Sequence, residues 1–149
     1  MTPAEVHEAL HRAADDRHGS LDGDLLREVG RTLGVALELV AEARMALRTG
    51  GGEDLALRYL ERVQAPSWSL RQRTSEAVDA DVAELLREGL RAAGCVFEAA
   101  QESRIALREG DAACYSFGEG RVTGFEEAAR FLSSAGTMPA AVSGVRGVV

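Results

Sequence analysis

A chain of 149 residues that is 46% hydrophobic can bury a core and is too apolar to be a disordered tail. A net charge of -7 repels phosphate backbones, which removes nucleic acid from the expected partners. Aromatic residues make up only 5%, so the core must be built from Leu, Val and Ala, which suits closely packed helices better than a β-sandwich.

Every one of the 17 basic residues is Arg, as the codon bias of a high-GC bacterial genome would give. No apolar run approaches the roughly 18–20 residues of a membrane span. The start, MTPAEVHEAL, lacks the basic and apolar regions of a signal peptide, so a soluble, cytoplasmic protein is expected. Cys95 and Cys114 fit no metal-ligand spacing and are expected to be free thiols.

Thr2-Pro3-Ala4-Glu5 starts a helix, with Thr2 as cap, Pro3 at the first helical position and Glu5 placed for a capping box. This helix is expected to run to about Arg17, with Val6, Leu10 and Ala13 or Ala14 as its apolar edge. Ser20 to Asp24 reads as a turn. A second helix spans about Asp24 to Thr49. Leu26, Val29, Leu33, Ala36, Val40, Ala43 and Leu47 form one apolar stripe along it. Gly50-Gly51-Gly52 stops it, and Glu53-Asp54 opens a third helix that ends before Pro66. Ser67 or Ser69 caps a short helix ending near Asp79. Trp68, the single tryptophan, is expected to anchor the core. A long helix then runs from about Asp81 to Glu109, with Leu86, Leu90, Ala93, Phe97, Ala100 and Leu107 facing inward.

Leu25 to Gly50 repeats as Leu85 to Gly110. The two read LLREVGRTLGVALELVAEARMALRTG and LLREGLRAAGCVFEAAQESRIALREG, identical at thirteen of 26 positions. Gly52 to Leu60 also aligns with Gly124 to Leu132, but at an offset of 72 instead of 60, so twelve extra residues sit in the second copy. The expected fold is therefore an all-α helical bundle of five or six helices, built from two duplicated helical-hairpin units. One domain covers 1–134, with repeats at about 24–64 and 84–134. Residues 135–149 form a loosely ordered tail. No segment alternates with period two, so no strand is expected.

Several repeated residues are not core positions. Arg27, Arg31, Glu38 and Glu42 recur as Arg87, Arg91, Glu98 and Glu102, each set on one helical stripe. Like charges at i,i+4 cost an isolated helix roughly 0.2–0.5 kcal/mol per pair, so segregated blocks suggest a partner on another helix. If the long helices cross antiparallel at Gly34 and Gly94, Arg31 meets Glu98, Arg27 meets Glu102, Arg91 meets Glu38 and Arg87 meets Glu42. The same complementarity works between two chains of a homodimer. If the helices run parallel, four Glu stand at one level, as in carboxylate-bridged di-metal bundles. Those also use His, and this chain has none after His18.

Three further features are candidates. His7, His11 and Asp15 lie at i, i+4, i+8, and HEALH matches the HExxH zinc pattern, which makes them a candidate zinc site. A metalloprotease would need a third downstream ligand and a cleft, and no later His can supply the ligand. The insertion Asp111 to Val122 gathers Cys114, Tyr115 and Phe117 where the second copy departs from the first, as loops that carry function do. Cys114 has no neighbouring base in sequence to activate it, so no catalytic role is assigned. The tail AVSGVRGVV could dock as a peptide, although an unstructured end is the simpler expectation.

The expected function is that of a non-enzymatic interaction or regulatory module. It would act through the charged stripe and the aromatic insertion, on a second copy or another protein. The alternative is a bundle that binds a small ligand or a metal between its helices. A metalloprotease is the third and weakest reading.

Overall fold

The computed structural model describes residues 1–49 and 52–117, with side chains as far as Glu109. Five helices are present: α1 Pro3–Asp16, α2 Leu21–Arg48, α3 Glu53–Glu61, α4 Trp68–Thr74 and α5 Ala80–Phe117. Among the described residues there is no strand. The protein is an all-α helical bundle in which α1 and α3 each pack on both long helices.

The caps set where the helices begin. The Thr2 hydroxyl accepts from the Glu5 N–H at 3.2 Å, with Pro3 in the first turn. Glu5 does not complete a capping box there. Its carboxylate accepts from the Thr2 hydroxyl. α2 starts at Leu21, three residues before the expected Asp24, because Ser20 caps it by accepting from the Gly23 N–H at 3.0 Å. Gly19 enters this cap at φ +81°, a left-handed conformation that suits glycine. Ser67, not Ser69, caps α4.

α2 and α5 run in the same direction through their N-terminal halves. The Asp22 carboxylate accepts the backbone N–H groups of Val78 and Asp79 at 3.0 and 3.1 Å, which fixes both helix starts at one end. Further along, a Cβ built on Gly89 would lie 2.6 Å from Val29 Cγ1. Two contacts in the same order along both helices exclude the antiparallel crossing, and with it the expected Arg–Glu lattice inside the chain. α1 meets α2 in reverse order: His7 lies against Gly34, Leu10 against Gly30 and Arg17 against Gly23, so α1 is antiparallel to α2.

The glycine contact between the long helices also differs from expectation. Among the described glycines, the one that meets the opposite long helix is Gly89, where Val29 and Leu10 fill the space a side chain would occupy; Gly34 meets His7 of α1 and Gly94 meets nothing within 4 Å. Val29 and Gly89 are equivalent residues of the repeat, as are Gly30 and Leu90. Valine on both sides would clash there, and glycine on both sides would leave the space unfilled. The two copies differ at the contact because one must supply bulk and the other room.

The inward stripes match the sequence periodicity. Leu26, Val29 and Leu33 of α2 and Leu86, Ala93 and Ala100 of α5 are buried. Phe97 is only half-buried. Trp68 is 74% exposed and anchors nothing. α4 buries Leu70 instead, and two residues along a helix is about 200°, which turns Trp68 to the far side.

α5 continues past the expected stop near Glu109 as far as Phe117. A lone glycine costs a helix about 1 kcal/mol and does not end it when good helix formers such as Ala112 and Ala113 follow. The first part of the insertion is thus helical. Its remainder, the aligned segment Gly124 to Leu132 and the tail 135–149 lie outside the described residues.

Two predictions arise here. Asp22 is 8% exposed, and its two charge-assisted bonds join α2 to the turn before α5. Asp22→Ala should cost about 2–3 kcal/mol in denaturant unfolding, from hydrogen bonds to a charged group and two orphaned N–H donors. The equivalent glycines of the repeat should respond oppositely to Ala. At Gly34 a Cβ would lie 2.8 Å from His7 Nε2, whereas at Gly94 nothing lies within 4 Å. Gly94→Ala should therefore stabilise by up to about 1 kcal/mol through helix propensity. Gly34→Ala should lose that gain by displacing the ring, and paired melts of the two variants would read the difference.

Candidate functional site

Most of the repeated charges are exposed, whereas Arg27 and Arg91 are part-buried. Arg31 and Arg91 each lie two residues, about 200°, beyond the contact pair Val29 and Gly89. The two stripes consequently point away from one another. Glu38 and Glu98 share a level, as do Glu42 and Glu102, but they sit on opposite flanks and do not converge.

The ion pairs that form are mostly local. Arg87 pairs with Glu84 at 2.6 Å and Arg91 with Glu88 at 2.8 Å, each within α5. Arg27 reaches Asp24 at 3.3 Å and donates to His18 Nδ1 at 2.9 Å. Pairs between elements use other residues: Arg73 with Glu28, Arg108 with Glu61 at 3.0 Å, and Arg17 with Asp79 at 3.6 Å. Among the described residues, Arg31, Glu38, Glu42, Glu98 and Glu102 make no ion pair, and all five are exposed.

The α2 flank has two properties that sequence reading did not predict. Val35 and Met45 lie beside the charges and are 50% and 62% exposed. They were legible as apolar residues outside the inward stripe. Arg31 also borders three open grooves, two of which have a mainly apolar floor. One, of about 330 Å³, has Arg31, Arg62, Gln64 and Ser67 around Val35, Ala36 and Leu70. The other, of about 310 Å³, places His7, His11, Arg27 and Arg31 over Ala14, Leu26 and Gly30. The first could not be read from sequence, because Arg62 to Ser67 reaches α2 only through the fold.

The His7 and His11 rings stack with centroids 6.4 Å apart and planes 24° apart. Asp15 lies a further turn along the exposed side of α1. Among the described residues, no group of three or more His, Cys, Asp or Glu side chains is placed to hold a metal. Cys114, Tyr115 and Phe117 fall on the last turns of α5, where only the backbone is described.

Cys95 and Asp79 have perturbed titration. Burial pushes the Cys95 thiol up, helped by the charges of Glu98 and Glu88 and opposed by Arg91, so it is a poor nucleophile at neutral pH. At the start of α5, backbone N–H bonds from Asp81 and Val82 hold the Asp79 carboxyl below its ordinary value of 3.8, with a further contribution from Arg17. A carboxyl lowered on folding stabilises the fold above its unfolded value and loses that effect as pH falls through its folded value. Asp79→Asn should therefore flatten the acid limb of a melting-temperature profile taken from neutral pH downward.

No helix among the described residues is long and apolar enough to cross a membrane. Comparison with protein-family models, with curated proteins and with solved structures finds no match to this chain.

Proposed function

We propose that this protein is a non-enzymatic interaction or regulatory module that recognises a protein partner through the outer flank of α2. The carrying observation is that flank itself. Arg31, Glu38 and Glu42 are exposed without ion-pair partners among the described residues, around the exposed apolar side chains of Val35 and Met45. A charged border about apolar contacts has the composition of a protein-binding patch. The aromatic insertion with Cys114, Tyr115 and Phe117 is a second contact element in this reading. The whole bundle is read as two duplicated helical-hairpin units, the second completed by Gly124 to Leu132, in a cytoplasmic bacterial protein. Its acidity argues for protein and against nucleic acid as the partner.

The test is a photo-crosslinking residue placed in turn at Val35, at Met45 and, as control, at Val78 near the start of α5. Protein adducts at Val35 and Met45 but not at Val78 support the reading. Their absence from both flank positions would remove it.

A second reading is favoured by the groove beside Arg31. Guanidinium groups of Arg31 and Arg62 above an apolar floor of Val35, Ala36 and Leu70 suit a small organic anion. Titration with benzoate, against neutral benzamide, would separate charge recognition at this groove from apolar adsorption.

A further inference from the structure

We infer that the partner of the α2 flank is a second copy of this chain, docked with its α2 antiparallel across a twofold axis between residues 34 and 35. This rests on the interaction reading above and goes beyond it by naming the partner and the register. The argument begins from positions. Arg31 and Glu38 are symmetric about the midpoint of residues 34 and 35, and so are Arg27 and Glu42. In an antiparallel pair centred there, Arg31 faces Glu38 of the second copy, and Arg27 faces Glu42 of the second copy. The twofold repeats both contacts, so each of the four charges per chain meets its opposite. Isologous contacts need this self-complementarity.

The apolar residues agree with that centre. Val35 of each copy adjoins the axis, and Met45 comes level with the start of the other α2. Exposures of 50% for Val35 and 62% for Met45 leave apolar area for the dimer to cover. The charges then set direction and register, as flanking charges do in coiled coils, while the apolar contacts supply attraction. Exposed ion pairs alone contribute about 0–1 kcal/mol each, so charge cannot be the main source of affinity.

α5 carries the same repeated charges, yet the structure selects α2. Arg87 and Arg91 are engaged by Glu84 and Glu88 on their own helix at 2.6 and 2.8 Å. Arg31 has no ion pair among the described residues, while Arg27 holds Asp24 at 3.3 Å and His18 Nδ1 at 2.9 Å, so Arg31 with Glu38 is the contact open from the start. Docking on α5 would first have to break two short pairs, whereas docking on α2 finds Arg31, Glu38 and Glu42 available. Within one chain Arg31 and Glu38 are seven residues apart on the same helix. Exchanging them therefore neither makes nor breaks an i,i+3 or i,i+4 contact between the two.

Sedimentation of the full chain over a concentration series tests this. The wild type should dimerise reversibly. Arg31→Glu and Glu38→Arg should each raise the dimer Kd by about tenfold or more, since each puts two like-charge contacts in the interface. The double exchange in one chain should return Kd to within about threefold of wild type, because the opposite charges then face again across the axis. Val35→Asp, which sets two carboxylates beside the axis, should also weaken the dimer. Glu98→Arg on α5 should leave it unchanged. Circular dichroism melts establish that each variant is folded. A chain that stays monomeric, a Kd indifferent to the α2 reversals, a double exchange that fails to restore, or a dimer broken by Glu98→Arg would each overturn the proposal. Photo-adducts from Val35 to a different protein would overturn it as well, while leaving the interaction reading in place.

Discussion

Leu10→Ala is expected to destabilise the fold by about 3 kcal/mol, within the range for emptying a fully buried leucine site. Leu10 is 0% exposed and lies where three helices meet. It is in α1, its Cβ would sit 3.7 Å from a Cβ on Gly30 of α2, and its Cδ1 fills space beside Gly89 of α5. Two of those neighbours are glycines, which have no side chain to swing into the vacated volume. The site should collapse poorly, which places the cost above that of an ordinary aliphatic truncation. Denaturant unfolding followed by circular dichroism is the suitable measurement. Tryptophan fluorescence is a weak reporter here, since Trp68 is already 74% exposed in the folded chain. A loss under about 1 kcal/mol would mean that α1 is not integral to the core.

Gly89→Val should cost about 2–3 kcal/mol, for the opposite reason. A Cβ at this position would lie 2.6 Å from Val29 Cγ1 and 2.9 Å from Leu10 Cδ1. The Leu10 methyl can rotate away. The Val29 methyl sits on a stiff β-branched side chain, so the helices themselves must part. Adding Val29→Ala should recover about half of the loss, because bulk is then supplied from the other side of the contact. Additive effects of the two substitutions would show that the helices do not meet at this pair. The same chemistry at Gly94, where nothing stands within 4 Å, should carry no such cost.

The contrast between these glycines shows how far sequence reading reaches. Gly34 and Gly94 recur in the repeat and invite the inference that they mark the crossing. Gly89 has valine as its equivalent and does not stand out. The tight contact nonetheless lies at Gly89, where the Val29 side chain fills the space that a valine in the second copy would need. Periodicity reports which face a helix buries and is silent about which residue on another helix lies opposite. The candidate surface was legible in part. Arg27, Arg31, Glu38 and Glu42 stand out as blocks of like charge, whereas the absence of an ion-pair partner for Arg31, and the pairing of Arg91 with Glu88, depend on side-chain geometry.

By itself the sequence determined the all-α class, the cap at Thr2, and the buried stripes of α2 and α5. Those properties follow from local hydrogen bonding and from a hydrophobic repeat near 3.6 residues, both written within a few turns of chain. Only the tertiary structure decided that α2 and α5 run in the same direction, that Arg91 is part-buried while Arg31 is exposed, and that Trp68 stands in solvent. These depend on contacts between residues far apart in sequence. The Asp22 carboxylate, gripping the N–H groups of Val78 and Asp79, joins the two helix starts across more than fifty residues, and no periodicity announces such a bond.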